Sequence, residues 1–279
     1  NIIETGNQID ELARDLFPGG SAVESRNDTN YTRKLIEQKT PVIYQPVFAT
    51  NKFITAADIF VWNSHTNLYD LYEVKASTSG EEGGSRKTED YLIDIAFQKI
   101  VLDALGIPVG DMKLIRLNKN YVRQGSIVLN ELFIIENVTD EVNEIAPEIA
   151  QKMETAYHFL SKDTEPQGYC DCIFRGSNSH CTTSEYSNHG LPPYPVHDIA
   201  RIHKTKLTEL VDSSILSIYD VPEDFPLSEN QRRQVDTAKA GIPFVDKQGV
   251  SLFLETMKYP LAFLDYETYP SAIPRYNGY

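Results

Sequence analysis

The sequence predicts an α/β protein, a mixed sheet flanked by helices, followed by a cysteine-containing segment and a helical region. Three observations predict it. β-rich runs at 42–51, 53–76, 112–118 and 129–138 alternate with amphipathic stretches around 9–16, 93–105 and 141–160, as expected when helices cover a sheet. All three cysteines, Cys170, Cys172 and Cys181, fall within twelve residues. A proline-rich connector, LPPYPVHDIARI, then leads into helical stretches at 197–213 and 228–241.

In GNQIDELARDLFPGG, Gly6 precedes a short helix in which Ile9, Leu12, Ala13 and Leu16 share a face, ended by Pro18-Gly19-Gly20. VIYQPVFATN reads as one strand. Phe53 to Ala76 reads as a hairpin turning around Asn63-Ser64-His65-Thr66-Asn67. Strand alternation places Glu73 and Lys75 on one side and Val74 on the other, and folding the hairpin brings Asp58 alongside Glu73. Two carboxylates can hold a hard divalent cation, and an amine beside them can position or deprotonate a water. The polar, glycine-rich stretch Ser77 to Asp90 reads as a mobile loop next to Lys75. Ile93, Ala96, Phe97, Ile100, Val101, Ala104 and Leu105 then make a broad apolar helix face that Gly106 stops, with Gln98 near its edge. MKLIRLN and LNELFIIENV read as strands, and Glu141 to Leu160 as a helix despite Pro147.

Composition sets limits. The 279 residues, 41% hydrophobic, can bury a sizeable core. No apolar run approaches the roughly 18 residues that span a bilayer, and no signal peptide is visible, so the expectation is a cytoplasmic protein without a membrane partner. A start at Asn1 and an end at PSAIPRYNGY read as a fragment of a longer chain. The net charge of −14 opposes phosphate binding at long range. The basic stretches Lys113, Arg116, Lys119, Arg123 and Arg201, His203, Lys204, Lys206 read as ordinary surface charge, as do His197 and His203 as surface residues.

The order acidic helix, Asp strand, E-x-K strand and Gln helix resembles the RecB-like branch of the PD-(D/E)XK nuclease superfamily, over about residues 1 to 160. The resemblance implies a restriction-endonuclease-like core in which Glu11, Asp58 and Glu73 ligate Mg²⁺ or Mn²⁺. It further implies that Lys75 orients the attacking water and Gln98 steadies the site. Two departures stand out. Asp10 occupies the place often taken by histidine, which leaves Asp10 or Glu11 as first ligand, and Leu102 replaces the tyrosine common four residues after Gln98.

Clustered thiols in a cytosolic chain point to metal or redox chemistry. In several RecB-like nucleases three late cysteines and one early cysteine close a 4Fe–4S cluster, so Cys170, Cys172 and Cys181 resemble the late set, with iron–sulfur or zinc as the expected metal. At the end of the chain, Leu261 to Leu264 reads as a strand delivering Asp265 and Glu267. This resembles the first metal-binding motif of DnaQ-like (DEDD, RNase H-like) exonucleases. The combination resembles an uncharacterised bacterial family that fuses the two nuclease-like modules. The domains expected are a nuclease core at 1–165, a cysteine segment and connector at 166–195, a helical linker at 196–258, and the first strand of a truncated exonuclease domain at 259–279. The expected function is Mg²⁺- or Mn²⁺-dependent hydrolysis of DNA, with RNA left open, in repair or phage defence. The alternatives are a non-catalytic nucleic-acid-binding or scaffolding module of the same fold and a cysteine-centred redox sensor.

Overall fold

A computed structural model describes residues 2–78, 84–266 and 271–278, the side chains at 2, 3, 78 and 84–88 excepted. The chain divides into two units, 1–162 with 267–279, and 163–266.

The first unit is a mixed α/β domain. Its elements are α1 (Ile2–Arg14), β1 (Ser21–Ala22), α2 (Thr29–Glu37), β2 (Val42–Tyr44), β3 (Val47–Ala49), β4 (Ile54–Ala56), β5 (Ile59–Asn63), β6 (Leu68–Thr78), α3 (Gly84–Ala104), β7 (Val109–Leu117), α4 (Leu129–Leu132), β8 (Phe133–Asn137) and α5 (Thr139–Leu160). Six strands form one sheet in the order β1-β2-β5-β6-β7-β8, and β3 and β4 form a separate ribbon. Within the large sheet β1–β2 and β6–β7 are parallel, the remaining pairs antiparallel.

Alternation along the strands separates two hydrophobic layers. Ile9 and Ala13 of α1 pack with Val42, Ile59, Tyr72 and Ile115 on one face. Ile95, Ala96 and Leu102 of α3 and Val142 and Ile149 of α5 pack with Phe60, Leu71 and Leu114 on the other. Each such fully buried aliphatic side chain contributes about 2 kcal/mol. Glu73 and Lys75 have the parity of Leu71, so they emerge on the α3 side where the apolar layer runs out.

The Gln98 helix, the strand at 112–118 and the helix carrying Pro147 form as the sequence predicts; of the run at 53–76 only β5 and β6 make the hairpin, because Ile54–Ala56 pairs with Val47–Ala49 in the separate ribbon. Elsewhere the structure differs. Gly6 lies inside α1, which begins at Ile2, rather than before the helix. VIYQPVFATN is two strands in two sheets, because Pro46 has no N–H for a ladder and Gln45 takes a left-handed φ of 52°. The stretch expected to be a loop is strand through Thr78 and helix from Gly84, with 79–83 outside the described residues. Leu129–Leu132 is helical, leaving only Phe133–Asn137 as the last strand. Gly106, at φ 71°, ends α3, and the Ile107 N–H returns to the Leu102 carbonyl at 3.0 Å.

The second unit is built from short helices: 3₁₀ turns at Asp171–Phe174, Ser177–Ser179, Val196–Asp198 and Ile218–Asp220, then α6 (Ser184–Ser187), α7 (Lys204–Asp212), α8 (Glu229–Ala240) and α9 (Lys247–Glu255). Val196, Ile199, Leu207, Leu210, Ile218, Val221 and Val235 make its core. A Ser228–Gln231 capping box starts α8 and Gly241 at φ 65° ends it. His197, expected at the surface, is 2% exposed and donates Nε2–H to the Ile173 carbonyl at 2.6 Å. Leu261 to Leu264 forms no strand. Phe263 is 92% exposed there, and no strand among the described residues pairs with this run. No helix among the described residues is long and apolar enough to cross a membrane.

Candidate functional site

Asp58 immediately precedes β5, and the register that sets Ile59 opposite Tyr72 carries it next to Glu73. Its Oδ2 accepts the Val74 N–H at 2.7 Å, and its Oδ1 accepts from Gln45 Nε2 at 3.2 Å. The same amide nitrogen donates to Asp10 Oδ2 at 3.4 Å, and that oxygen also pairs with Arg14 at 2.6 Å. Glu73 is 7% exposed and Gln98 5%. One Glu73 oxygen accepts from Gln98 Nε2 at 2.7 Å and the other pairs with Lys75 Nζ at 2.8 Å. Lys75 also reaches Asp94 at 2.7 Å and lies 5.2 Å from the centre of the Tyr91 ring.

The electrostatics follow from this crowding. Burial, then the charges of Glu73 and Asp10, push the Asp58 carboxyl up to about 8, against the Val74 N–H and Lys75. For Lys75, burial acts downward, but Glu73 and Asp94 outweigh it and hold the ammonium above its ordinary value. Lys75 is therefore a fixed cation rather than a proton acceptor.

The residues expected from sequence are not all brought together. Asp58, Glu73, Lys75 and Gln98 converge. Glu11 is exposed and has no polar partner among the described residues, whereas its neighbour Asp10 faces Asp58 through Gln45. Asp94 was missed, although it stands one turn before Gln98 and so on the same helix face. Gln45 was missed because nothing in its local pattern marks a left-handed residue at a strand break. Asp265 is exposed, and its own carboxylate accepts the Tyr266 N–H at 2.9 Å; Glu267 lies outside the described residues. The stretch from Lys113 to Arg123 is not an open basic patch. Lys113 pairs with Asp70 at 2.9 Å and Asp111 at 3.1 Å, Arg116 with Glu136, and Arg123 donates to the Gly125 and Pro274 carbonyls at 2.8 and 3.0 Å.

In the second unit the Cys172 thiol bonds to Cys181 at 3.5 Å and interacts with Cys170, whose Sγ accepts from Asn188 Nδ2 at 3.3 Å. All three are free thiols.

Asp10 Oδ1 and Gln98 Oε1 are buried without a hydrogen-bond partner among the described residues. Unmet acceptors beside three crowded carboxyl groups suit a hard divalent cation, which prefers oxygen ligands. The agreement is one of donor chemistry. As the side chains stand, no three His, Cys, Asp or Glu residues among those described are arranged around a metal position, and both Glu73 oxygens are engaged by Lys75 and Gln98.

No protein-family model matches the chain, and no curated protein sequence matches it.

Proposed function

We propose that the first unit is a divalent-metal-dependent nuclease with a restriction-endonuclease-like core of the RecB-like type, acting on DNA. The observation that carries this reading is the convergence of Asp58, Glu73 and Lys75 at the start of β5 and the middle of β6, with Gln98 holding Glu73 from α3. Asp58 and Glu73, with Asp10 rather than Glu11 beside them, would hold Mg²⁺ or Mn²⁺. When bound, such an ion supplies Lewis-acid polarisation of the phosphodiester and lowers the pKa of water.

The chain's own groups complete the chemistry. Gln98 fixes one oxygen of Glu73, so its carboxylate cannot swing away from Asp58. Lys75, kept charged by Glu73 and Asp94, donates to the attacking water and stabilises charge developing on the phosphate. Because it is a fixed cation, Lys75 orients the nucleophile and leaves its deprotonation to other groups. The contiguous thiols of Cys170, Cys172 and Cys181 would supply soft ligands for an iron–sulfur cluster or zinc in the second unit.

One observation favours a second reading, a non-catalytic module of the same fold. Lys113, Arg116 and Arg123 are engaged within the chain and the net charge is −14. The test is cleavage of labelled single- and double-stranded DNA with Mn²⁺ by the native chain and by Glu73→Ala. Cleavage lost in the variant supports the nuclease. Mn²⁺ binding absent from the native chain favours the non-catalytic module.

A further inference from the structure

We infer that Gln45 is a positioning residue that sets the spacing of Asp10 and Asp58, and so builds the cation-binding face of the proposed metal site. This rests on the nuclease reading above but assigns a role to a residue outside its motifs.

The amide of Gln45 has two N–H donors, and Nε2 reaches one carboxylate from each of two separate elements. Asp58 Oδ1 lies at 3.2 Å and Asp10 Oδ2 at 3.4 Å. Asp10 comes from α1 and Asp58 from the residue before β5, so nothing in the local chain holds the two acids at a fixed distance. Arg14 holds Asp10 and the Val74 N–H holds Asp58, each from its own side, and Gln45 is the donor that the two acids share. Gln45 engages one oxygen of each acid, and the other Asp10 oxygen, Oδ1, is a buried acceptor without a partner among the described residues.

The backbone around Gln45 is arranged to deliver this side chain. Its φ of 52° is a left-handed conformation that non-glycine residues seldom adopt. Two hydrogen bonds flank it and tie this turn to the Asp58 segment. The Gln45 N–H donates to the Asp58 carbonyl at 2.9 Å, and the Ala57 N–H donates to the Pro46 carbonyl at 3.1 Å. The strand breaks at Gln45-Pro46, where the Gln45 side chain reaches both acids. Carboxylates that ligate metals are themselves commonly held by hydrogen bonds, and losing such a bond typically weakens metal binding about 10- to 100-fold.

The test is calorimetric titration of the full chain with Mn²⁺, before any cleavage assay. Gln45→Met keeps the length of the side chain and removes the donor; Gln45→Gly removes the donor and accommodates the left-handed backbone. Both are expected to bind Mn²⁺ about 10- to 100-fold more weakly than the native chain. In the double variant Gln45→Met with Asp10→Ala, the loss should be smaller than the sum of the two single losses, because part of the effect of Gln45 runs through Asp10. Native affinity in Gln45→Met and Gln45→Gly, alongside lost affinity in Asp58→Asn, overturns the role of Gln45 and leaves the metal site standing. Losses that simply add in the double variant also overturn it. Equal Mn²⁺ binding by the native chain and Asp58→Asn, or none by either, overturns the metal site and this inference with it.

Discussion

The Asp58 carboxylate accepts the backbone N–H of Val74 at 2.7 Å, midway between Glu73 and Lys75 in sequence. A single hydrogen bond thus locks the first acid of the site to the strand that carries the second acid and the lysine. The bond is made from the end of β5 to the middle of β6, so hairpin register and site geometry are the same fact. A slip of one residue would turn Glu73 and Lys75 to the opposite face of the sheet.

The raised Asp58 carboxyl has a consequence for stability. Its folded value of about 8 lies above the 3.8 of an ordinary aspartate. The metal-free fold therefore keeps a proton that the unfolded chain has already released. Since the native state binds more protons over this interval, stability should fall as pH rises from about 4 to about 8 and level off above it. Urea unfolding in EDTA across this range measures the slope. Asp58→Asn should flatten it; an unchanged slope in the variant would assign the effect to other groups.

Lys75 and Asp94 should differ in weight. Lys75→Ala removes the ammonium that pairs with Glu73 and should lower single-turnover cleavage about 10²- to 10³-fold, with Mn²⁺ binding retained. Asp94→Asn should cost less than about tenfold, because Asp94 is exposed and solvent screens its pairing. Cleavage at the native rate by Lys75→Ala would remove Lys75 from the mechanism.

At the other end of β6, Asp70 is 5% exposed and accepts the Asp111 N–H at 2.9 Å and Lys113 Nζ at 2.9 Å. A Cβ at Gly110 would strike Asp70 Oδ1. Gly110→Ala should therefore destabilise the first unit by about 1–3 kcal/mol, by crowding a buried, bonded carboxylate. Chemical denaturation reads this directly. A stability unchanged within error would mean that Asp70 moves aside without loss.

The thiols make a separate prediction. Anaerobically purified protein should carry iron with sulfide, or zinc, and Cys172→Ser should lose it, since Cys172 stands between Cys170 and Cys181. Metal analysis showing neither in the native chain would leave the three as ordinary free thiols.

Much of the fold was legible because hydrophobic periodicity is local. The helix of α3 and the alternation in β5 and β6 depend only on near neighbours and were readable, although the face expected for α3 left out the buried Ile95 and Leu102 and took in the exposed Ala104. The misses share a different cause. The break at Gln45-Pro46 and the burial of His197 depend on what packs against them, and the strand expected at 261–264 had an apolar pattern but no partner strand among the described residues.

The same division runs through the site. Sequence alone determined that Asp58, Glu73 and Lys75 would meet, because strand parity and a short turn fix them, and it placed Gln98 on a helix that follows. Tertiary structure decided that Asp10 rather than Glu11 joins them, that Asp94 shares the lysine, and that Gln45 spans two acids. Adjacent residues on a helix point about 100° apart, and only the docking angle of α1 on the sheet selects between them. A hydrogen bond between elements 35 positions apart, Gln45 to Asp10, leaves no periodic trace in the chain that folds to make it.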